Sequence, residues 1–285
     1  MYRNIYLTPE CKHRVIDISK YKVNQDSIQN LAVKLNTSRR ELSFYSSWYL
    51  IDSFYYYFKS CFAFNELFLS ELYTEFNIRT PDYRVVKSGD ITGIISHNIR
   101  RPESNYMFYD ELLGNHNSKE RITNIYDLDI FFSSFLHPSN KEELLNTLIR
   151  LSVSDFFSGQ RERTSYNLLF EEGLNYIDLA PITDNGNSLR EPTGEYVSCF
   201  HEIMFPKTDT VTDIEYMTLK LIVDNKEFRD NILKCLDIDI DSILKRTLSK
   251  YRIKLSKEEH DFIISFFDTK KSIIDSSLSL IRKEN

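Results

Sequence analysis

The sequence predicts an α+β protein of two lobes, a small, mostly-β N-lobe with one helix followed by a larger helical C-lobe. Three observations carry that reading. Residues 41–99 are dominated by aromatic and β-branched runs with short polar interruptions, the pattern of antiparallel strands joined by tight turns. From Asp127 onward apolar residues recur at helical spacing through several segments. Between Leu151 and Arg190, three of the chain's seven glycines gather among polar residues placed where strand-like pieces end. Glycine serves where the backbone needs a positive φ or a close approach, so its clustering in a chain this poor in it marks unusual geometry.

Taken in order, Ile5 to Leu7 reads as a short strand and Ser27 to Leu35 as helical in spacing. LSFYSSWYLI and SFYYYFK, interrupted at Asp52-Ser53, predict a hairpin that ends at Lys59. FNELFLSELYTEF, residues 64–76, predicts a helix with Leu67, Leu69, Leu72, Tyr73 and Phe76 on one side and Glu71 and Glu75 on the other. Asn77 to Pro81 ends it, because the residue before a proline is pushed out of the α region. Tyr83 to Lys87 and Gly93 to Ser96 predict a second hairpin, turning at Lys87-Ser88-Gly89-Asp90.

A hinge is expected from Ile99 to Leu113, dividing residues 1–100 from 101–285. Helices follow over Asp127 to Leu136 and Lys141 to Phe157. The second is announced by His137-Pro138-Ser139-Asn140 and by acids in its first turn. Asn167 to Phe170 and Tyr176 to Leu179 are the only strand-like pieces expected in the large lobe, and amphipathic helices run from Thr212 to the end.

Composition bounds the function. With 285 residues and 41% hydrophobic content the chain buries a sizeable core. A net charge of -6 gives no global basic field, so no nucleic-acid partner is expected. Cys11, Cys61, Cys199 and Cys235 lack CxxC spacing and nearby histidines, which argues against a zinc site and a disulfide framework and for a reducing, cytoplasmic setting. No window approaches the ~18 uninterrupted apolar residues of a membrane span, and the charged N-terminus has no apolar leader segment.

The polar groups of the 151–190 stretch are Glu162, Asn167 and Asp184, oxygen ligands on loops. Such a grouping holds a hard cation like Mg²⁺ against phosphate oxygens. Asp184, before Asn185-Gly186, also suits a plain turn. Arg161 and Arg163 read equally as binders of phosphate or an acidic substrate and as solvated charges.

Several strings resemble the HipA-like bacterial serine/threonine kinases, a branch of the protein-kinase-like fold. ITGIISHNI at 91–99 and YDELLGN at 109–115 are similar to that family's G-x-I-S-x-N-F and E-L-L-G. FFSGQRERTSYNLLF resembles its F-x-G-Q-x-D-R-H-x-x-N-x-x-F catalytic loop, and LAPITDNGNSL its L-A-P-x-Y-D-N-G-x-S. Upstream, YYYFKS and FNELFLSELYTEFNIRTPDY resemble its strand lysine and N-E helix, so the resemblance spans about residues 55–190 in order.

The resemblance implies ATP and Mg²⁺ as cofactors, and a protein substrate or a regulatory partner such as an antitoxin. It puts Lys59 on the nucleotide phosphates, Glu66 as the lysine's partner, with Glu71 a second candidate, and Asn167 and Asp184 on the metal. The catalytic-base aspartate falls on Glu162 and the following histidine on Thr164, two departures from the family pattern. No glycine precedes Gly89, so a glycine-rich phosphate loop is missing. Asn36 to Arg40, with Ser38 and Arg39, is the candidate replacement. Three activities follow: a serine/threonine kinase, possibly a toxin or effector; a pseudokinase acting as a nucleotide-binding regulatory or antitoxin module; and a kinase-fold AMP transferase.

Overall fold

The computed structural model describes residues 16–22, 47–60, 62–101, 104–115, 125–160, 163, 167–173, 176–186, 188–189 and 225–284. The expected strand at Ile5 to Leu7 and helix at Ser27 to Leu35 lie outside the described residues.

Four antiparallel strands form the first sheet: β1 (Ser47–Ile51), β2 (Phe54–Lys59), β3 (Tyr83–Ser88) and β4 (Ile91–His97), in the order β1-β2-β4-β3. Both hairpins fall where polar residues interrupt the apolar runs. Ile51 pairs with Phe54 across Asp52 and Ser53, whose φ values of 49° and 69° are those of a two-residue turn matched to strand twist. Ser88 pairs with Ile91 across Gly89, at φ 61°, and Asp90. Side chains alternate between the faces. Tyr49, Phe58, Val86 and Ile95 pack on one face under Ile18, whose segment hydrogen-bonds to Lys87 on β3. Ile94 and Tyr83 face the main core on the other side. Lys59 follows Phe58 and therefore emerges on the core side, at the very end of its strand.

At the Lys59 end of the sheet, Gly93 on β4 permits a close approach. A Cβ there would stand 2.5 Å from the Lys59 carbonyl oxygen and 2.7 Å from the Phe58 ring.

Helix α1 (Ala63–Glu75) crosses the core-side face. It ends because Asn77 takes φ 55° while the Ile78 and Asn77 amides donate to the Tyr73 and Thr74 carbonyls, a closing pair that satisfies the last turn. That local lock, and not Pro81, is the stop. The expected polar side is also corrected: Glu71 is buried. Arg246 Nε (3.1 Å) and Lys250 Nζ (2.7 Å) reach its carboxylate from one C-terminal helix, Ile240–Tyr251, while Glu75 is half-buried and meets Arg246 Nη2 at 2.9 Å. A helix covered on both sides has little amphipathic contrast to read.

The helical part comprises α2 (Tyr109–Asn115), α3 (Ile125–Ser133), α4 (Pro138–Ser158), α5 (Lys226–Asp237), α6 (Ile240–Tyr251) and α7 (Lys257–Glu284). Helix α4 starts with proline in its first turn and stops at Gly159, φ 66°, where the Gln160 amide donates to Asp155 O at 2.8 Å. One core joins the two parts. Phe68 of α1 meets Phe267 of α7 at 5.8 Å, and Phe267 meets Phe157 of α4 at 4.9 Å.

A second sheet, β5 (Asn105–Phe108), β6 (Leu169–Glu172) and β7 (Ile177–Leu179), lies beside them. Strand β5 corrects the reading of residues 99–113 as hinge alone, since Met107 and Phe108 pair with Phe170 and Leu169. The helices expected at Asp127–Leu136 and Lys141–Phe157 begin two and three residues earlier than their apolar stripes.

Candidate functional site

The site forms where the end of β2, the first turn of α1 and the loop after β7 converge. Lys59 Nζ stands 2.6 Å from Glu66 Oε1 and 2.7 Å from Asp184 Oδ1. Glu66 is 1% exposed, and its other oxygen accepts from the Tyr83 hydroxyl at 3.3 Å. This separates the two candidate partners of Lys59, because Glu71 turns to Arg246 and Lys250 instead. Asn167 Nδ2 donates to Asp184 Oδ2 at 3.2 Å. Four residues singled out from sequence are thus linked in one row of contacts, Glu66 to Lys59 to Asp184 to Asn167.

The charges are mutually fixed. Burial alone lowers the Lys59 pKa, but the Glu66 and Asp184 carboxylates outweigh it and hold the ammonium well above its ordinary value. Burial raises the Asp184 carboxyl, yet Lys59, then Arg163 and Asn167, hold it below the usual carboxylate range. Asp184 is nevertheless open to a ligand, its side chain 56% exposed. An ionised, accessible carboxylate beside a cation is suited to metal and phosphate together.

Behind this opening lies a buried network. Arg163 is fully buried, its Nε and Nη2 each 2.9 Å from the two oxygens of Asp155 on α4. The same guanidinium donates to Thr183 O (2.9 Å), Asn185 Oδ1 (2.7 Å) and the Tyr73 hydroxyl (3.3 Å), and Tyr73 donates to Asp155 at 2.5 Å. Burial works against the guanidinium charge, but Asp155 holds its pKa above the ordinary value. Both readings of Arg163 from sequence, phosphate binder and solvated charge, are therefore overturned. It ties α1, α4 and the 183–185 loop together.

Gln160, 2% exposed, adds a donor to the Asp184 carbonyl at 2.9 Å, supporting a residue that holds φ 59°. Sequence reasoning missed Asp155 and Gln160. The available signal was a lone acid inside the apolar run LSVSDFF, which calls for a buried cationic partner. Arg161, Glu162, Thr164, Ser38 and Arg39 lie outside the described residues.

The donor set fits a hard cation. Asp184 offers a carboxylate oxygen and Asn167 a carboxamide oxygen once its amide, whose O and N are near-equivalent in shape, turns over. Among the described residues no group of three or more His, Cys, Asp or Glu is gathered to hold a metal unaided. A cation here would complete its shell with phosphate oxygens and water, as Mg²⁺ does in nucleotide sites.

No protein-family model matches the sequence, and no curated protein does. Solved structures match throughout most of the chain. The Helicobacter pylori proinflammatory kinase CtkA aligns with a TM-score of 0.55 at 15% identity, covering 84% of this chain and 94% of that one. HipA of the Shewanella oneidensis MR-1 toxin–antitoxin system, in a structure with HipB and operator DNA, aligns with a TM-score of 0.52 at 9% identity, covering 79% of this chain and 58% of that one. The fold is that of the HipA-like kinases.

Proposed function

From a chain with the HipA-like kinase fold, we propose an ATP-dependent protein serine/threonine kinase whose nucleotide lies between the four-stranded sheet and the helical lobe, with the lobes dividing near residue 100. The observation that carries this reading is the position of Lys59, between Glu66 and Asp184, with Asn167 on the far oxygen of Asp184. Lys59 exchanges its contact with Asp184 for the nucleotide phosphates while Glu66 keeps it oriented. Asn167 and Asp184 would hold the Mg²⁺, which when bound would neutralise phosphate charge. The acceptor hydroxyl oxygen bonds to the γ-phosphorus, the bond to the β–γ bridging oxygen breaks, ADP departs with its electron pair, and the hydroxyl proton passes to Glu162.

Glutamate at the base position favours a second reading. A carboxylate displaced by one methylene sets proton transfer out of register, and about an ångström of misplacement costs on the order of 10²-fold in rate. A regulatory pseudokinase that binds nucleotide and a protein partner, or an AMP transferase, would tolerate that change. Among the described residues no helix is long and apolar enough to cross a membrane.

Parallel incubations with γ-labelled and α-labelled ATP, Mg²⁺ and candidate protein acceptors separate the three. Serine or threonine label from the γ position alone is the expected result, and Glu162→Asp is expected to raise its rate. Label from the α position identifies AMP transfer. Neither label, with an ATP-induced thermal shift retained, identifies the pseudokinase.

A further inference from the structure

The residue next to Glu66 also reaches the metal-binding loop. Asn65, in the first turn of α1 and 7% exposed, donates both hydrogens of its one amide nitrogen, to Gly186 O at 2.9 Å and to Ser188 O at 3.2 Å. Few side chains can do this: serine and threonine have a single donor, aspartate has none, and lysine would bring a buried charge. A second contact joins the same two segments. A Cβ on Gly186 would lie 2.6 Å from Phe62 Cβ, so the loop is seated directly on the residue that precedes α1. That helix start carries no side-chain cap of its own.

The loop being held is strained. Asp184 and Leu189 bracket it with φ values of 59° and 61°, which L-residues with side chains seldom adopt. Such conformations persist when surrounding contacts over-determine them. Here the Ser188 hydroxyl donates to Asn185 O at 2.8 Å, the Leu189 amide to Ser158 O at 2.8 Å, and Asn65 spans the loop between. Asn65 thereby ties the loop that aims Asp184 to the helix turn that aims Glu66.

We propose that Asn65 is a positioning residue for the metal carboxylate, making α1 a single rigid support for both Lys59 (through Glu66) and Asp184 (through the 186–188 carbonyls). The proposal rests on the nucleotide–metal reading of Asp184. It assigns Asn65 no contact with nucleotide. Its effect is confined to how well the loop presents oxygen to the cation.

The test is a Mg²⁺ titration of ATP binding by calorimetry on the full chain, for wild type, Asn65→Ala and Asn65→Asp. Loss of an orienting partner behind a metal ligand costs about 10- to 100-fold in metal affinity. Both variants should therefore need at least about tenfold more Mg²⁺ for half-maximal enhancement, while metal-free ATP affinity stays within about twofold. Hydrogen exchange on the ligand-free proteins gives an independent reading, with faster exchange of the Leu189 amide expected in both variants. It remains interpretable if one variant is too unstable to titrate.

Wild-type Mg²⁺ dependence in the variants, or unchanged exchange at Leu189, would overturn the proposal alone. A wild type whose ATP binding ignores Mg²⁺ would overturn the nucleotide–metal reading beneath it.

Discussion

Arg163→Met is expected to lower the free energy of unfolding by about 3–5 kcal/mol, the range for breaking a buried ion pair by removing one partner. The magnitude follows from burial. Arg163 is 0% exposed and Asp155 is 9% exposed at its side chain, so the substitution leaves a carboxylate without its cation in a site almost closed to water. Among the described residues the Tyr73 hydroxyl would remain as a neutral donor to it.

The companion variant separates pairing from packing. Asp155→Leu with Arg163→Met removes both charges, and buried pairs replaced by apolar residues are often close to neutral in stability. The double variant should therefore recover most of the loss in urea denaturation. It should not recover nucleotide binding, because Thr183 O and Asn185 Oδ1 would still lack the donors that fix the loop. A single variant within about 1 kcal/mol of wild type would be the behaviour of a solvated pair and would contradict the network.

Lys59→Met has the second large effect, on stability and binding together. The ammonium pairs with Glu66, which is buried, and it separates that carboxylate from Asp184. Its removal is expected to cost about 3–5 kcal/mol in the ligand-free protein and to abolish ATP-induced stabilisation. At ATP 100-fold above Kd, wild type should gain about 2.7 kcal/mol from ligand. Lys59→Met with Glu66→Leu relieves the buried charge, so stability should return while the ATP-induced gain stays absent. Recovery of that gain would mean that Lys59 supports the fold without meeting phosphate.

Much of the sheet was legible because its signals are local. Aromatic runs broken at Asp52-Ser53 and Gly89-Asp90 need only neighbouring residues to specify hairpins. The meeting of Lys59, Glu66, Asn167 and Asp184 was legible through strings that resemble a family, since nothing local tells a strand-end lysine to find an aspartate 125 positions later.

The rest depended on distant partners. Glu71 reads as a solvent-facing helix acid until Arg246 and Lys250, 175 and 179 residues away, close over it. Arg163 reads as one charge in RERT, and Tyr73, 90 residues earlier, helps to bury it. Strand β5 is four residues long and begins just after Pro102. It has almost no pattern of its own and becomes a strand by pairing with β6. Asn65 enters the sequence reading only as the first letter of the N-E string, and its amide gains a partner once the 186–188 loop is placed against it.

The central claim is that Asp184 presents oxygen to a cation that accompanies ATP. Calorimetric titration of ATP into wild type and Asp184→Asn, each with and without Mg²⁺, tests it most directly. The account predicts that Mg²⁺ tightens ATP binding to wild type and that Asp184→Asn loses that enhancement while staying folded. Equal Mg²⁺ enhancement in both proteins would contradict it.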